Sequence, residues 1–183
     1  MKIIKLQAAV AAALFAGAAG LALAEGMPKS EYTAAKDQIE ATRKAAIDAC
    51  KPLAGNRMDV CKEQAKADAS IARADLEAKY KGTREAAYEA RVAHAKGAYA
   101  VAKEKCDDFA GNTKDVCVKE AKAAEAHALA DAKADKKVVN ARLDARETKM
   151  DADYKVAVER CDTYSGDMKD RCVTDAKQRF GKS

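Results

Sequence analysis

The stretch Cys106-Asp-Asp-Phe-Ala-Gly-Asn-Thr-Lys-Asp-Val-Cys117 constrains this chain more than any other, because it occurs three times. The other copies are Cys50-Lys-Pro-Leu-Ala-Gly-Asn-Arg-Met-Asp-Val-Cys61 and Cys161-Asp-Thr-Tyr-Ser-Gly-Asp-Met-Lys-Asp-Arg-Cys172, and together they use all six cysteines. The copies start 56 and then 55 residues apart. A period of that size marks repeated supersecondary units.

Each copy reads as a helix end followed by a helix start. Gly55, Gly111 and Gly166 suit the left-handed residue that closes a helix, and Asn56, Asn112 and Asp167 suit the N-cap that opens the next. Three residues after each cap stands an Asp, at 59, 115 and 170, where an acid favours the positive end of a helix. The cysteines lie five residues before the glycine and five after the cap. That symmetry brings the two side chains level on antiparallel helices, within the Cα separation of about 5.5 Å that a disulfide needs. The expected pairs are Cys50 with Cys61, Cys106 with Cys117 and Cys161 with Cys172, one staple for each reversal near residues 55, 111 and 166. A metal site is the competing reading of a Cys-x10-Cys pair. Structural zinc sites, however, draw four ligands from pairs spaced two to four residues apart.

Between the repeats the residues are dominated by Ala, Lys, Glu, Asp and Arg, with Pro52 the only proline after Ser30. These are mostly strong helix formers, and no period-two alternation competes with them. The expected fold is all-α: long antiparallel, coiled-coil-like hairpins in one elongated repeat domain over residues 30–183. Ser30 is the expected first N-cap, and residues 25–29 a disordered leader. Gly82, in Lys81-Gly82-Thr83-Arg84, is an expected site for a bend. Stepping back from Cys106 gives a seam of Ala102, Tyr99, Ala95, Val92 and Tyr88; stepping on from Cys117 gives Ala121, Ala124 and Ala128. Around Cys161 the seam is Ala157, Tyr154, Met150 and Leu143, and around Cys50 Arg43 interrupts Ala46 and Ile39. Seams this rich in alanine allow close helix approach and bury little apolar surface, so the array depends on its staples.

The N-terminus reads as a secretory signal peptide over residues 1–24: Lys2 and Lys5, an apolar run from Ala8 to Leu23, and Ala22-Leu23-Ala24 before Glu25. Cleavage after Ala24 removes two of 34 basic residues and leaves 32 against 29 acidic ones, a net charge of +3. No second apolar run follows, so no transmembrane segment is expected in the mature chain. An exported chain with an even number of cysteines belongs in an oxidising compartment such as the periplasm. The charges are interleaved rather than gathered into a basic block, which argues for solvated helix faces and against nucleic acid as a partner.

The chemistry-bearing residues are few. His94 and His127 stand at similar distances from Gly111 and could be a metal pair, but they fall on different lines of the helix count and read as surface residues. Met58, Met150 and Met168 invite a copper reading. Their offsets do not repeat, and Met150 sits on the seam, so packing is expected instead. Tyr88, Tyr99 and Tyr154 read as seam anchors with a wet hydroxyl. Phosphate loops, nucleophile elbows and His-Glu metal helices are missing. No catalytic activity and no cofactor are expected.

Several segments resemble a group of exported Gram-negative proteins usually left as hypothetical or named TolA-like cell-envelope biogenesis proteins. They are the signal peptide, Tyr80-Lys-Gly-Thr83, Tyr99-Ala-Val-Ala-Lys-Glu-Lys-Cys106, the block from Gly111 to Cys117, and Cys172-Val-Thr-Asp-Ala-Lys-Gln-Arg-Phe-Gly181. The resemblance implies an envelope location and no catalytic residue. TolA itself has an N-terminal membrane anchor and a terminal globular domain, and this chain shows neither pattern. The expected function is a non-catalytic periplasmic rod or spacer, with envelope proteins or further copies of itself as partners through the helical faces. The competing expectation is a periplasmic protein for metal or redox stress that works through its cysteines.

Overall fold

The computed structural model describes residues 27–182, all-helical with short connections. The helices are α1 (Lys29–Ala49), α2 (Asn56–Lys81), α3 (Arg84–Lys105), α4 (Gly111–Cys161) and α5 (Asp167–Arg179), and a 3-10 turn at Cys106–Asp108 follows α3. The expected signal peptide lies outside the described residues. Helix α1 begins at Lys29, directly after Pro28, so Ser30 is inside the helix rather than its cap. Pro28 fixes the entry by its restricted φ, and its carbonyl accepts from the Tyr32 N–H at 3.0 Å.

Each helix packs chiefly on its neighbours in sequence: α1 on α2, α2 on α3, α3 on α4, and α4 on α5. Reversals thus fall at the three cysteine repeats and, fully rather than as a bend, at Gly82. There Gly82 adopts the left-handed conformation (φ 60°, ψ 16°) and its N–H reaches the Ala78 carbonyl at 2.9 Å. Thr83 then caps α3, its Oγ1 accepting from the Ala86 N–H at 3.2 Å. A glycine close followed by a threonine cap satisfies orphan groups on both helix ends, so this corner needs no staple.

Helix α4 has no such signal. From Asn112 to Ser165 the chain contains neither Gly nor Pro, and 51 residues run as one helix, about 75 Å long at the usual rise. Its first half carries α3 and its second half carries α5. The array is therefore four helices wide at one end and two at the other.

The buried apolar residues among those described are nine alanines, the three cysteines Cys50, Cys106 and Cys161, and only two larger aliphatics, Leu76 and Val101. Alanine contacts let helices approach closely. At α2–α3 the fit is tightest: a Cβ added to Gly97 would stand 2.9 Å from Ile71 Cδ1 and 3.4 Å from Ala67 Cβ. Little apolar area is removed from water at such seams, at about 25 cal/mol per Å², so they contribute modestly.

Polar contacts supplement the seams. Across α1–α2, Tyr32 stacks on Tyr80 with centroids 4.2 Å apart and donates its hydroxyl to Glu77, while Arg73 pairs with Glu40. Across α3–α4, Arg84 donates to Asn140 at 2.9 Å, and Arg91 and Lys136 pair with Asp135 and Glu85. The Lys136 ammonium also lies 4.5 Å from the centre of the Tyr88 ring.

The seam read from sequence needs correction in two places. Ala124 and Ala128 are exposed; the contact line of α4 with α3 runs instead through Val118, Ala121, Leu129 and Ala132, at least half-buried. At about 100° per residue the true line is centred nearer Val118 than Cys117, so a count begun at the cysteine falls to one side of it. Leu143 and Met150 do lie on the extension of this line but are exposed, because neither α3 nor α5 reaches them.

Candidate interaction surface

The three corners are built alike. Cα–Cα separations are 5.7 Å for Cys50–Cys61, 5.7 Å for Cys106–Cys117 and 5.6 Å for Cys161–Cys172. The first cysteine of each pair is fully buried, with its sulfur 3.2 to 3.3 Å from the carbonyl of Ala46, Ala102 or Ala157, four residues earlier. A bridged sulfur carries no proton, so these are packing contacts and not hydrogen bonds.

The capping residues differ from expectation. Gly55 and Gly166 are themselves the N-cap residues of α2 and α5, with φ 58°, ψ −151° and φ 57°, ψ −143°, outside the left-handed helical well. They open the following helix and do not close the preceding one, which has already ended near its cysteine. Asn56 and Asp167 are the first helical residues, and no side chain caps either helix. At the second corner α4 begins at Gly111 itself (φ 56°), with Ala110 before it and Asn112 inside the helix. The physical reason is the length of the turn. Four or five residues after the buried cysteine are needed to cross between helices, which leaves glycine at the entry, where its carbonyl accepts from Met58 or Lys169 at 2.9 Å. The Asn56 amide nitrogen is buried without a hydrogen-bond partner, and nothing in the structure accounts for it.

The corner pattern expected from the sequence does not include Asp107 and Asp162. Each follows the buried cysteine and reaches across its corner, Asp107 to Lys114 at 2.9 Å and Asp162 to Lys169 at 2.8 Å. The Asp162 contact, a hydrogen bond and then its charge, holds the Lys169 ammonium above the usual lysine range. The matching positions in the first copy are Lys51 and Met58, so that corner lacks the strap. The signal was present as an Asp and a Lys seven residues apart in two of three copies.

The remaining expected residues scatter. His94 and His127 are both exposed, and His94 sits 3.0 Å from the Asp75 carboxylate of α2. Met168 is exposed, Met58 is half-buried, and Tyr88, Tyr99 and Tyr154 are half-buried, Tyr154 edge-on to Phe180 at 6.0 Å. Among the described residues no group of three or more His, Cys, Asp or Glu side chains has the spacing to hold a metal ion, and no helix is long and apolar enough to cross a membrane.

Apart from Asp48, held below the usual carboxylate range by its hydrogen bond from Lys51 at the end of α1, the groups with altered affinity lie where helices or the C-terminal end meet or a corner closes. Glu77 is held below the usual carboxylate range by its hydrogen bond from Lys81 and then by that from Tyr32. Tyr32 is raised by the same bond to Glu77. Lys182 is raised by its hydrogen bond to Asp151, which ties the C-terminal end to α4. The Tyr32–Glu77 and Lys182–Asp151 contacts fasten helices and the C-terminal end together.

The surface offers shallow grooves between helices. The largest, about 640 Å³, follows α2 and α3 over a floor that includes Ala67, Ala93 and Gly97, with Glu63, Glu89 and Lys96 on its walls. A second notch, about 420 Å³, opens over α4 between Arg84 and Phe180, floored by Leu143 and Met150. No protein-family model matches the chain, and no curated protein and no solved structure matches it either.

Proposed function

We propose that this chain is an exported, non-catalytic structural and interaction protein of the Gram-negative cell envelope, a disulfide-stapled helical spacer in the periplasm. The observation that carries the reading is that every cysteine is bridged within its own repeat, one bridge at each of three helix reversals. Bridges of this kind persist in oxidising compartments. Support comes also from the N-terminal signal pattern and from the likeness to TolA-like envelope proteins. The thin alanine seams and exposed, charge-interleaved helix faces offer partners an extended surface, which is what a spacer presents.

Production from its own leader in a Gram-negative host tests the reading. The expected result is a periplasmic chain that begins at Glu25, carries three intra-repeat bridges by mass spectrometry and cross-links to envelope proteins, with detergent sensitivity in a deletion strain. Free thiols or bound copper or zinc in the periplasmic protein would favour the metal or redox role instead. Retention in the cytoplasm, or a deletion strain with unaltered envelope and no cross-linked partner, would overturn the proposal.

A further inference from the structure

Helix α4 carries one continuous contact line: Ala121 and Ala132 under α3, then Leu143 and Met150, then Tyr154 and Cys161 under α5. In its middle nothing covers it. All ten residues from 141 to 150 are exposed, in the interior of a 51-residue helix. The cover stops at Arg84, bonded to Asn140, and resumes at Lys182, bonded to Asp151. From Asn140 to Asp151 is about 16 Å of helix, and a helix with its side chains is about 10 to 12 Å across. The gap is wide enough to admit one crossing helix.

We propose that the notch seats α4 of a second copy of this chain, so that two copies interlock at their notches as a twofold dimer. Three observations on α4 single out that occupant. Its uncovered segment is both the floor of the notch and the one stretch of α4 without a neighbour, so each copy supplies the helix that the other lacks. Midway between Leu143 and Met150 on that segment stand Arg146 and then Glu147, and both are exposed. In a two-fold contact residue i meets j while j meets i. A crossing centred between these residues therefore sets Arg146 against the partner's Glu147 and Glu147 against the partner's Arg146. The charges are self-complementary, and the apolar side chains Leu143 and Met150 flank them on both copies. A basic or acidic foreign partner would satisfy only one of the two charges. Such a dimer needs only the purified chain, whatever compartment the chain occupies.

A contact of this size belongs with weak interfaces, so association is read by sedimentation equilibrium at about 10 to 500 µM. The oxidised mature protein is expected to shift from one-chain to two-chain mass across that range. L143K is expected to raise the dissociation constant by roughly tenfold or more, and R146E and E147R alone to do likewise, since each sets like charges together. An equimolar mixture of R146E and E147R restores complementarity and is expected to dimerise again. All three substitutions fall at exposed positions, and unchanged helical circular dichroism verifies folding. A wild-type protein that stays monomeric throughout, a dimer indifferent to all three substitutions, or a mixture that fails to associate would each overturn the proposal.

Discussion

At the scale of single residues, the glycines of the repeats are the positions where one side chain decides a turn. Gly55 and Gly166 hold a positive φ with ψ near −150°, a region essentially closed to residues with a Cβ. At Gly55 no atom lies within 4 Å of where a Cβ would stand, so a substitution there meets backbone strain and nothing else. Gly55→Ala is expected to cost roughly 1 to 3 kcal/mol, read as a lower urea midpoint with an unchanged slope. An unaltered midpoint would mean that the turn relaxes. The identity of this glycine was legible from its recurrence, whereas its role was not. Whether it ends one helix or begins the next depends on where the preceding helix stops, and Cys50, buried against Ala46, stops it early. Asp107 and Lys114 show the same limit, since an ion pair across a corner exists only once the corner is closed.

At the scale of elements, the contrast is between helices that stand on packing and one that depends on its staple. Helices α2 and α3 bury Leu76, Ala86, Ala90 and Val101 and share the close contact at Gly97. Helix α5 has 13 residues and buries only Ala176, and beyond its end Phe180 and Lys182 add contacts to α4. A helix of that length is marginal alone, and a bridge closing a short loop contributes roughly 3 kcal/mol. Replacing Cys161 and Cys172 by serine is therefore expected to remove hydrogen-exchange protection from residues 167–179 while α2 and α3 keep theirs. Full protection in α5 would show that packing alone holds it. The reversal at Gly82 was only half legible: a lone interior glycine costs about 1 kcal/mol against alanine and does not by itself end a helix. The Thr83 cap and the contact of Ile71 with Gly97 make it a full turn.

At the scale of the whole molecule, α4 is the one element shared by both ends, since α3, with α2 and α1 packed in turn behind it, lies on its first half and α5 on its second. Between them its ten exposed residues carry the connection through the hydrogen bonds of one helix, with no neighbouring helix over them. Ala145→Pro would remove one of these bonds and press its ring against the preceding turn, a local cost of about 3 kcal/mol. The expected outcome is a kinked molecule with a shorter maximum dimension in small-angle scattering, while residues in α2 and α3 keep their exchange protection. A scattering profile matching the unmodified chain would show that something besides α4 fixes the two ends. The sequence by itself determined the helical class, the three stapled reversals and the pairing of the cysteines, because propensity, recurrence and the reach of a disulfide are all local. Only the tertiary structure decided that the second segment folds back at Gly82 while α4 runs straight, and that Leu143 and Met150, on the contact line of α4, are left uncovered. Those outcomes turn on which helix lies over which stretch of another, a balance of weak alanine contacts between residues far apart in the chain.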